Sequence, residues 1–321
     1  MTAVLVVRPS SLGDVVHALA LVDDVVRARP GTTVDWVAER AFAELPALCP
    51  QVRNVHTIAL RQWRKALLGA QSWRELRAFR RELRSTYYDV VLDLQEQVKG
   101  GIVSRMARGV RHGFDRASIR EPVATLFDDV HHRVSRGEHF ATRCRLLAAA
   151  ALGYRIDGPP RWSLAPPRAA IPDARYAVLL HATSRDAKLW PEGRWRALMA
   201  TLSHAGLALL LPWGSRAERE RSVRLAEGIE GAQVPERQSL TALASLLAGA
   251  ELVVGVDTGL THLAAALRTP TLALFTKTDP AGAGVAIAGG HALDLGGCGN
   301  VPALDDVQAA AAKLLRNAPR C

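Results

Sequence analysis

Residues 4–14, Val4-Leu5-Val6-Val7-Arg8-Pro9-Ser10-Ser11-Leu12-Gly13-Asp14, decide the fold. Four apolar residues in a row suit a strand buried on both faces. The Pro-Ser-Ser-Leu-Gly stretch that follows suits a tight loop, and from about Val15 the apolar spacing becomes helical. Working outward, the same alternation recurs. Strand patterns stand at Val34–Val37, Val52–Ile58 and Asp89–Leu94, with a helical pattern from Trp73 to Ser85. Five prolines then crowd residues 155–174, a composition that resists helix and favours an extended linker. Beyond it the alternation restarts. Strands are expected at Tyr176–Leu180, Leu207–Leu211, Leu252–Val256 and Thr271–Phe275. Helices are expected after Pro191, from about Ala217, at Leu240–Ala248, at Leu260–Leu267 and over 303–317. Strands alternating with helices predict an α/β protein of two doubly wound parallel-sheet units. The expected domains are residues 1–160 and 175–302, joined by a linker at 161–174. Parallel sheets bind ligands beyond the carboxyl ends of their strands, so the loops leaving the strands are where function should lie.

The 321 residues are 49% hydrophobic and 22% charged, which excludes collagen-like and mostly disordered chains. Cys49, Cys144, Cys298 and Cys321 are scattered with no C-x-x-C pair, so neither a zinc site nor a disulfide framework is expected. The N-terminal apolar run is short and lacks a basic flank. No stretch of about 18 apolar residues occurs, so neither a signal peptide nor a membrane span is expected. A cytosolic protein, or one peripheral on a membrane's cytosolic face, follows as the expectation. The net charge is +10, unevenly spread: residues 1–150 carry 23 basic and 16 acidic side chains, net +7, and residues 151–321 carry 18 and 15, net +3. Such an excess favours an anionic partner, whether nucleic acid, phospholipid or a phosphorylated substrate.

Four constellations carry chemistry. Ser10-Ser11-Leu12-Gly13-Asp14 opens the first helix. The serines offer caps and hydroxyls, Gly13 permits close backbone approach, and Asp14 is either a first-turn carboxylate favoured by the helix dipole or a general base. It is neither a Walker A loop nor a G-x-G-x-x-G loop. His181-Ala182-Thr183-Ser184-Arg185-Asp186-Ala187-Lys188-Leu189-Trp190-Pro191 joins two hydroxyls and a lysine to a helix starting at proline. That composition suits a phosphate loop, although Lys188 by itself also reads as a solvated side chain. Val256-Asp257-Thr258-Gly259-Leu260-Thr261-His262 ends a strand and starts a helix whose first N–H groups would face an anion. Asp257 alone reads as structural, and His262 as a core histidine. Residues 61–84 hold eight basic and two acidic side chains. Arg74, Arg77, Arg81 and Arg84 fall at helical spacing and read as one solvated face, which leaves Arg61, Arg64 and Lys65 as the candidates for an anionic ligand. A further basic run comprises Arg108, Arg111, His112, Arg116 and Arg120. Arginine forks suit carboxylates and phosphates.

Taken in order, S-S-L-G-D at 10–14, W-R-K at 63–65, H-A-T-S-R-D-A-K-L-W-P at 181–191, L-P-W-G-S at 211–215 and V-D-T-G-L-T-H-L at 256–263 resemble the bacterial heptosyltransferases of glycosyltransferase family 9. The resemblance spans nearly the whole chain. It implies a GT-B fold, two Rossmann-like domains facing a central cleft, with the C-terminal helix (303–321) returning to the N-terminal domain. The implied activity is inverting transfer of L-glycero-D-manno-heptose from ADP-heptose to the first Kdo of Kdo2-lipid A, with no metal or other cofactor, at the cytosolic face of an anionic inner membrane. The alternative within the family is an already heptosylated acceptor. Carried over by motif, Asp14 is the general base and Lys188 stabilises the leaving group. Thr183, Ser184, Lys188, Glu218, Gln238, Asp257, Thr258, Gly259, Leu260, Thr261 and His262 hold the donor. Ser10, Ser11, Gly13, Arg61, Arg64, Lys65 and Arg120 face the acceptor. Arg8-Pro9 departs from the usual Lys-Thr, and Gln238 stands where some relatives place an apolar adenine contact. The classes left as rivals are a basic non-catalytic membrane-surface protein and a nucleic-acid binder. Against the latter, aromatics are 5% and dispersed, and there is no zinc finger or basic tail.

Overall fold

The computed structural model describes residues 2–65, 69–167, 175–183 and 185–317, with backbone only at 64 and 65. The chain divides into two compact units, 1–165 and 166–321, at a point inside the proline-rich stretch. In the first unit six parallel strands, β1 (Ala3–Val7), β2 (Thr33–Glu39), β3 (Val52–Ile58), β4 (Tyr87–Asp93), β5 (Arg108–Phe114) and β6 (Val130–His132), lie in the order β3-β2-β1-β4-β5-β6. Six helices accompany them: α1 (Leu12–Ala28), α2 (Glu44–Ala47), α3 (Leu60–Lys65), α4 (Ala70–Leu83), α5 (Val98–Ser104) and α6 (Phe140–Leu152). A 3₁₀ segment spans Pro122–Phe127.

The second unit repeats the plan. Strands β7 (Tyr176–Leu180), β8 (Ala208–Leu210), β9 (Ala232–Gln233), β10 (Leu252–Val256), β11 (Thr271–Phe275) and β12 (Ala292–Gly296) lie in the order β12-β11-β10-β7-β8-β9. The helices are α7 (Glu192–His204), α8 (Arg216–Ala226), α9 (Leu240–Ala248), α10 (Gly259–Ala266), α11 (Pro280–Ala283) and α12 (Leu304–Asn317). Each order is the doubly wound one, which reverses direction between β1 and β4 in one unit and between β7 and β10 in the other. In open parallel sheets the ligand crevice lies at such points of reversal, beyond the carboxyl ends of the strands.

The sequence places β1 to β4 and most strands of the second unit. It misses β5, whose Arg-Gly-Val-Arg-His-Gly-Phe has no apolar run and which is extended because it pairs with β4. It also misses the short strands β6, β9 and β12. Helix α1 begins at Leu12, three residues earlier than the apolar spacing suggests, because Asp14 reaches back to the Ser11 backbone N–H in a capping box. In α4, Phe79 and Leu83 are buried while the arginines at 74, 77, 81 and 84 are exposed, the solvated face their spacing implies. Trp63 is no ligand group. It is buried edge-on to Phe79 and donates to Glu75 Oε2 at 2.9 Å, pinning α3 to α4.

The C-terminal helix differs from the expectation that it returns to the first unit. Val307, Ala311 and Leu314 form its apolar stripe and are buried in the second unit's core with Trp190, Trp195 and Leu272. Within the proline-rich stretch, Trp162 Nε1 donates to Val16 O at 2.7 Å and Ala165 N to Leu48 O at 2.8 Å, which lays 162–165 on the first unit. The rest of the expected linker, 168–174, lies outside the described residues. Among the described residues no helix is long and apolar enough to cross a membrane.

Candidate functional site

Both crevices are occupied by the loops singled out from sequence. In the first unit, the ends of β1 and β4 and the start of α1 enclose a pocket of about 380 Å³ whose lining includes Ser10, Ser11, Asp14, Arg61, Lys99 and Arg120. Arg8 leaves the end of β1 and turns inward. Its guanidinium donates to Leu94 O, lies 4.7 Å from the centre of the Phe140 ring and meets Asp14 Oδ2 at 2.7 Å. Ser11 adds its backbone N–H (2.9 Å) and its hydroxyl (2.8 Å) to the same oxygen. Burial opposes ionisation of Asp14, but the Arg8 charge and the two Ser11 donors outweigh it and hold the carboxyl at about 2. All these donors converge on Oδ2, and Oδ1 has no hydrogen-bond donor among the described residues.

The remaining polar groups sort by charge. Arg143 pairs with Glu96 at 2.7 Å, as Arg8 does with Asp14. Arg61, Lys99 and Arg120 have no carboxylate within ion-pair distance among the described residues. Lys99 Nζ donates to Ser10 Oγ at 3.3 Å, and burial together with the neighbouring Arg8 and Arg61 charges depresses its pKa. The pocket is therefore cationic: Arg8, Arg61, Lys99, Arg120 and Arg143 line it against the two carboxylates of Asp14 and Glu96, each of which already has an arginine partner. Of the expected residues, Ser10, Ser11, Asp14, Arg61 and Arg120 meet here, and Gly13 sits in the same first turn of α1. The side chains of Arg64 and Lys65 lie outside the described residues. Arg8, Gln95, Lys99 and the Arg143–Glu96 pair were not foreseen. Arg8 carried a signal, being a charged side chain at the carboxyl end of a central strand.

Beneath this pocket two carboxyls are buried without enough donors. Asp93, the last residue of β4, accepts from Gln95 N at 2.9 Å through Oδ1, while its Oδ2 and both Asp128 oxygens have no partner among the described residues. Burial, and then the nearby Asp128, pushes Asp93 up to about 8. Burial, and then Asp129, pushes Asp128 up to about 7. Gly100 makes room for this arrangement, since a Cβ there would lie 2.7 Å from Asp93 Oδ1 and 2.3 Å from Gln95 Cβ.

In the second unit, Lys188 on a 3₁₀ turn after β7 meets Asp257 at the end of β10, Nζ to Oδ2 at 2.6 Å. The Thr278 hydroxyl donates to the same oxygen at 2.6 Å, and His262 Nε2 lies 3.4 Å from Oδ1. Burial resists the Asp257 charge, but His262, Lys188 and Thr278 together hold the carboxyl far below the ordinary range. Thr183 Oγ1 donates to Asp257 O at 3.2 Å and Thr276 Oγ1 to Ala187 O at 3.0 Å, so the loops after β7, β10 and β11 are laced together. Thr258 caps α10, leaving Asp257 to Leu260 partly exposed at the helix start. Thr261 is different. It is fully buried and its hydroxyl donates to Val256 O at 2.8 Å beneath Gly255, so its side chain serves the fold. Its N–H is also taken, by Thr258 O at 3.0 Å. Ser184 lies outside the described residues. Thr278 stands in the loop after β11, a strand end where ligand groups are expected, but a lone threonine there carries no motif.

Glu218 sits at the start of α8. Its Oε2 accepts from Gly214 N (2.7 Å) and Ser215 N (3.2 Å) in a capping box. Trp213 Nε1 donates to Pro235 O at 2.8 Å, which ties this loop to the one carrying Gln238, whose buried Oε1 has no partner among the described residues. Behind these loops His181 is buried, Nε2 to Ser222 Oγ at 2.8 Å. Burial, and then the Arg221 charge, lowers its pKa to about 4, so it is a neutral tie between β7 and α8. No group of three or more His, Cys, Asp or Glu side chains able to hold a metal ion occurs among the described residues.

A sequence model of glycosyltransferase family 9 (heptosyltransferase) matches residues 76–288. Lipopolysaccharide heptosyltransferase 1 of Escherichia coli (strain K12) is 43% identical over 282 residues, covering 86% of this chain and 88% of that protein. The E. coli heptosyltransferase WaaC with ADP superposes with a TM-score of 0.88 at 39% identity, covering 97% of this chain and 98% of that one. The same enzyme with ADP-2-deoxy-2-fluoro heptose gives 0.85 at 40%, with the same coverage. Two doubly wound sheets in the GT-B manner and a match along most of its length agree: this chain belongs to glycosyltransferase family 9, the heptosyltransferases.

Proposed function

We propose that this chain transfers L-glycero-D-manno-heptose from ADP-heptose to the first Kdo of Kdo2-lipid A in lipopolysaccharide core biosynthesis, working peripherally at the cytosolic face of the inner membrane. The observation that carries the acceptor half is the ionised Asp14 with one open oxygen, set among Arg61, Lys99 and Arg120, which have no carboxylate of their own. A Kdo carboxylate and lipid A phosphates satisfy those cations. Asp14 Oδ1 takes the proton of the acceptor hydroxyl as that oxygen bonds to the anomeric carbon. The bond from the anomeric carbon to the ADP oxygen breaks on the opposite face, which inverts configuration and needs one carboxylate rather than two. ADP departs already anionic and is stabilised by charge, not protonation.

Lys188 and the open N–H groups at the start of α10 supply that charge in this reading. Lys188 exchanges Asp257 for the pyrophosphate, while Thr278 and His262 keep Asp257 satisfied. The free Gln238 Oε1 accepts from the adenine amino group. Lys188→Ala should weaken ADP binding roughly 10- to 100-fold, the value of one charge-assisted hydrogen bond. Calorimetric titration with ADP reads this, and an unchanged affinity would take Lys188 out of the role. The function itself is tested by incubating the purified chain with ADP-heptose and Kdo2-lipid A and following ADP release and the mass of one added heptose. Product should form, and EDTA should leave the rate unchanged. Transfer only to an already heptosylated acceptor would overturn the acceptor assignment.

A further inference from the structure

Eight large apolar side chains are exposed among the described residues. Five of them stand on α4, β4, β5, α8 and the loop before α12, no two on one element. The other three gather where α5 meets the 3₁₀ segment Pro122–Phe127: Ile102 (45% exposed), Val123 (61%) and Leu126 (75%). Side chains three apart eclipse in a 3₁₀ helix, so Val123 and Leu126 stand on one face. The two elements are locked together. A Cβ on Gly101 would lie 2.5 Å from Phe127 Cβ, Val98 N donates to Glu121 Oε2 at 2.9 Å, and Arg105 Nη2 donates to Leu126 O at 3.3 Å. Cations border the cluster. Lys99 lies one turn before Ile102 on α5, Arg105 follows it, and Arg120 precedes Val123, all three exposed. Of the acids in this region, Glu121 accepts from Val98 N and Asp128 is buried, while the exposed Asp129 pairs with Arg111 at 2.7 Å and lies 3.8 Å from Arg105, so the cations still outnumber the one exposed acid. Lys99 and Arg120 also line the Asp14 pocket, so the apolar cluster adjoins the pocket's cationic side.

We propose that Ile102, Val123 and Leu126 insert into the surface of an anionic phospholipid bilayer, with Lys99, Arg105 and Arg120 on the lipid phosphates. Apolar side chains rimmed by cations are the pattern that lies in a bilayer interface, where each component alone binds weakly. This assignment puts the membrane contact on α5 and the 3₁₀ segment and not on α4, whose exposed face is rich in arginine. It deepens the reading of a lipid-borne acceptor and rests on it for its purpose. Vesicle binding is measured without acceptor or donor, so the two readings fail separately.

The full chain and its I102S/V123S/L126S variant are sedimented with vesicles of phosphatidylglycerol and phosphatidylethanolamine, and with vesicles of phosphatidylcholine alone. Wild type should bind the anionic vesicles and the variant should bind on the order of 100-fold more weakly, from partial transfer of three side chains out of water. Trp73→Ser, on α4, should bind as wild type does. The triple variant should keep its turnover on a water-soluble Kdo acceptor and lose it on an acceptor embedded in vesicles. Equal vesicle binding by wild type and the triple variant overturns the proposal, as does absence of wild-type binding to anionic vesicles. Self-association of the wild type that the three serines abolish, without vesicle binding, would assign the cluster to a second copy of the chain instead.

Discussion

Asp14→Asn should lower kcat about 10²- to 10⁴-fold, the range for losing a positioned general base, while leaving the ADP affinity of the second unit's loops as it is. The amide keeps the shape and the Ser11 contacts but cannot take a proton. Because Arg8 and Ser11 hold the wild-type carboxyl at about 2, the base is ionised at every pH where the enzyme is assayed. The wild-type rate should therefore show no acid limb from this group between pH 8 and about pH 4. A base held so low is a weak proton acceptor in the ground state. In the proposed mechanism its advantage would be fixed geometry and a full negative charge beside the developing positive charge at the anomeric centre. Steady-state kinetics decide the matter. An Asn variant with near wild-type kcat would remove Asp14 from the chemistry.

Asp93→Asn should stabilise the protein, and the gain should grow with pH. The folded-state pKa of about 8 lies above the ordinary carboxyl value of 3.8. Between those values the folded chain keeps a proton that the unfolded chain has released, so wild-type stability falls as pH rises. Each pH unit removes about 1.4 kcal/mol, the fall ending near pH 8. Asparagine matches the protonated acid in shape and does not titrate. At pH 4 the variant should differ little from wild type, and at pH 8 it should lead by a few kcal/mol. Denaturant midpoints at the two pH values test this, and parallel curves for the two proteins would show that Asp93 is not buried as an acid. The same pair accounts for Gly100 and Gly113: a Cβ at 113 would lie 1.9 Å from Asp128 Oδ2, so these positions tolerate no side chain.

The fold was legible wherever a strand is buried on both faces and therefore apolar throughout, as in Val4–Val7 and Leu252–Val256. It was illegible at β5, one strand in from the edge, and at the short edge strands β6, β9 and β12. Arg108–Phe114 is extended through its ladder with β4 and not through its own composition, which no local pattern records. The site was legible where a motif occupied one loop. Asp14 with its serines and Lys188 with Asp257 fall where the strand order reverses, as the motifs implied. What sequence spacing could not give was pairing across loops. Nothing local says that Arg8 serves Asp14, that Thr278 completes the ring around Asp257, or that the Thr261 hydroxyl is consumed by Val256. Those facts belong to the superposition of several strand ends, each unremarked in its own segment. The C-terminal helix was placed from resemblance alone. Its own apolar stripe, matched to the second unit's core, decides otherwise.

The one-sided solvation of Asp14 bears on inhibitor chemistry. Three donors saturate Oδ2 and leave Oδ1 open, and the group is an anion throughout the useful pH range. A small molecule filling this 380 Å³ cavity therefore meets a fixed negative point flanked by Arg61, Lys99 and Arg120. A purely acidic compound satisfies the three cations and is repelled at Oδ1, and a purely basic one does the reverse. The scaffold that fits both is a zwitterion, such as an amino- or iminosugar acid, with its ammonium on Oδ1 and its carboxylate or phosphonate among the cations.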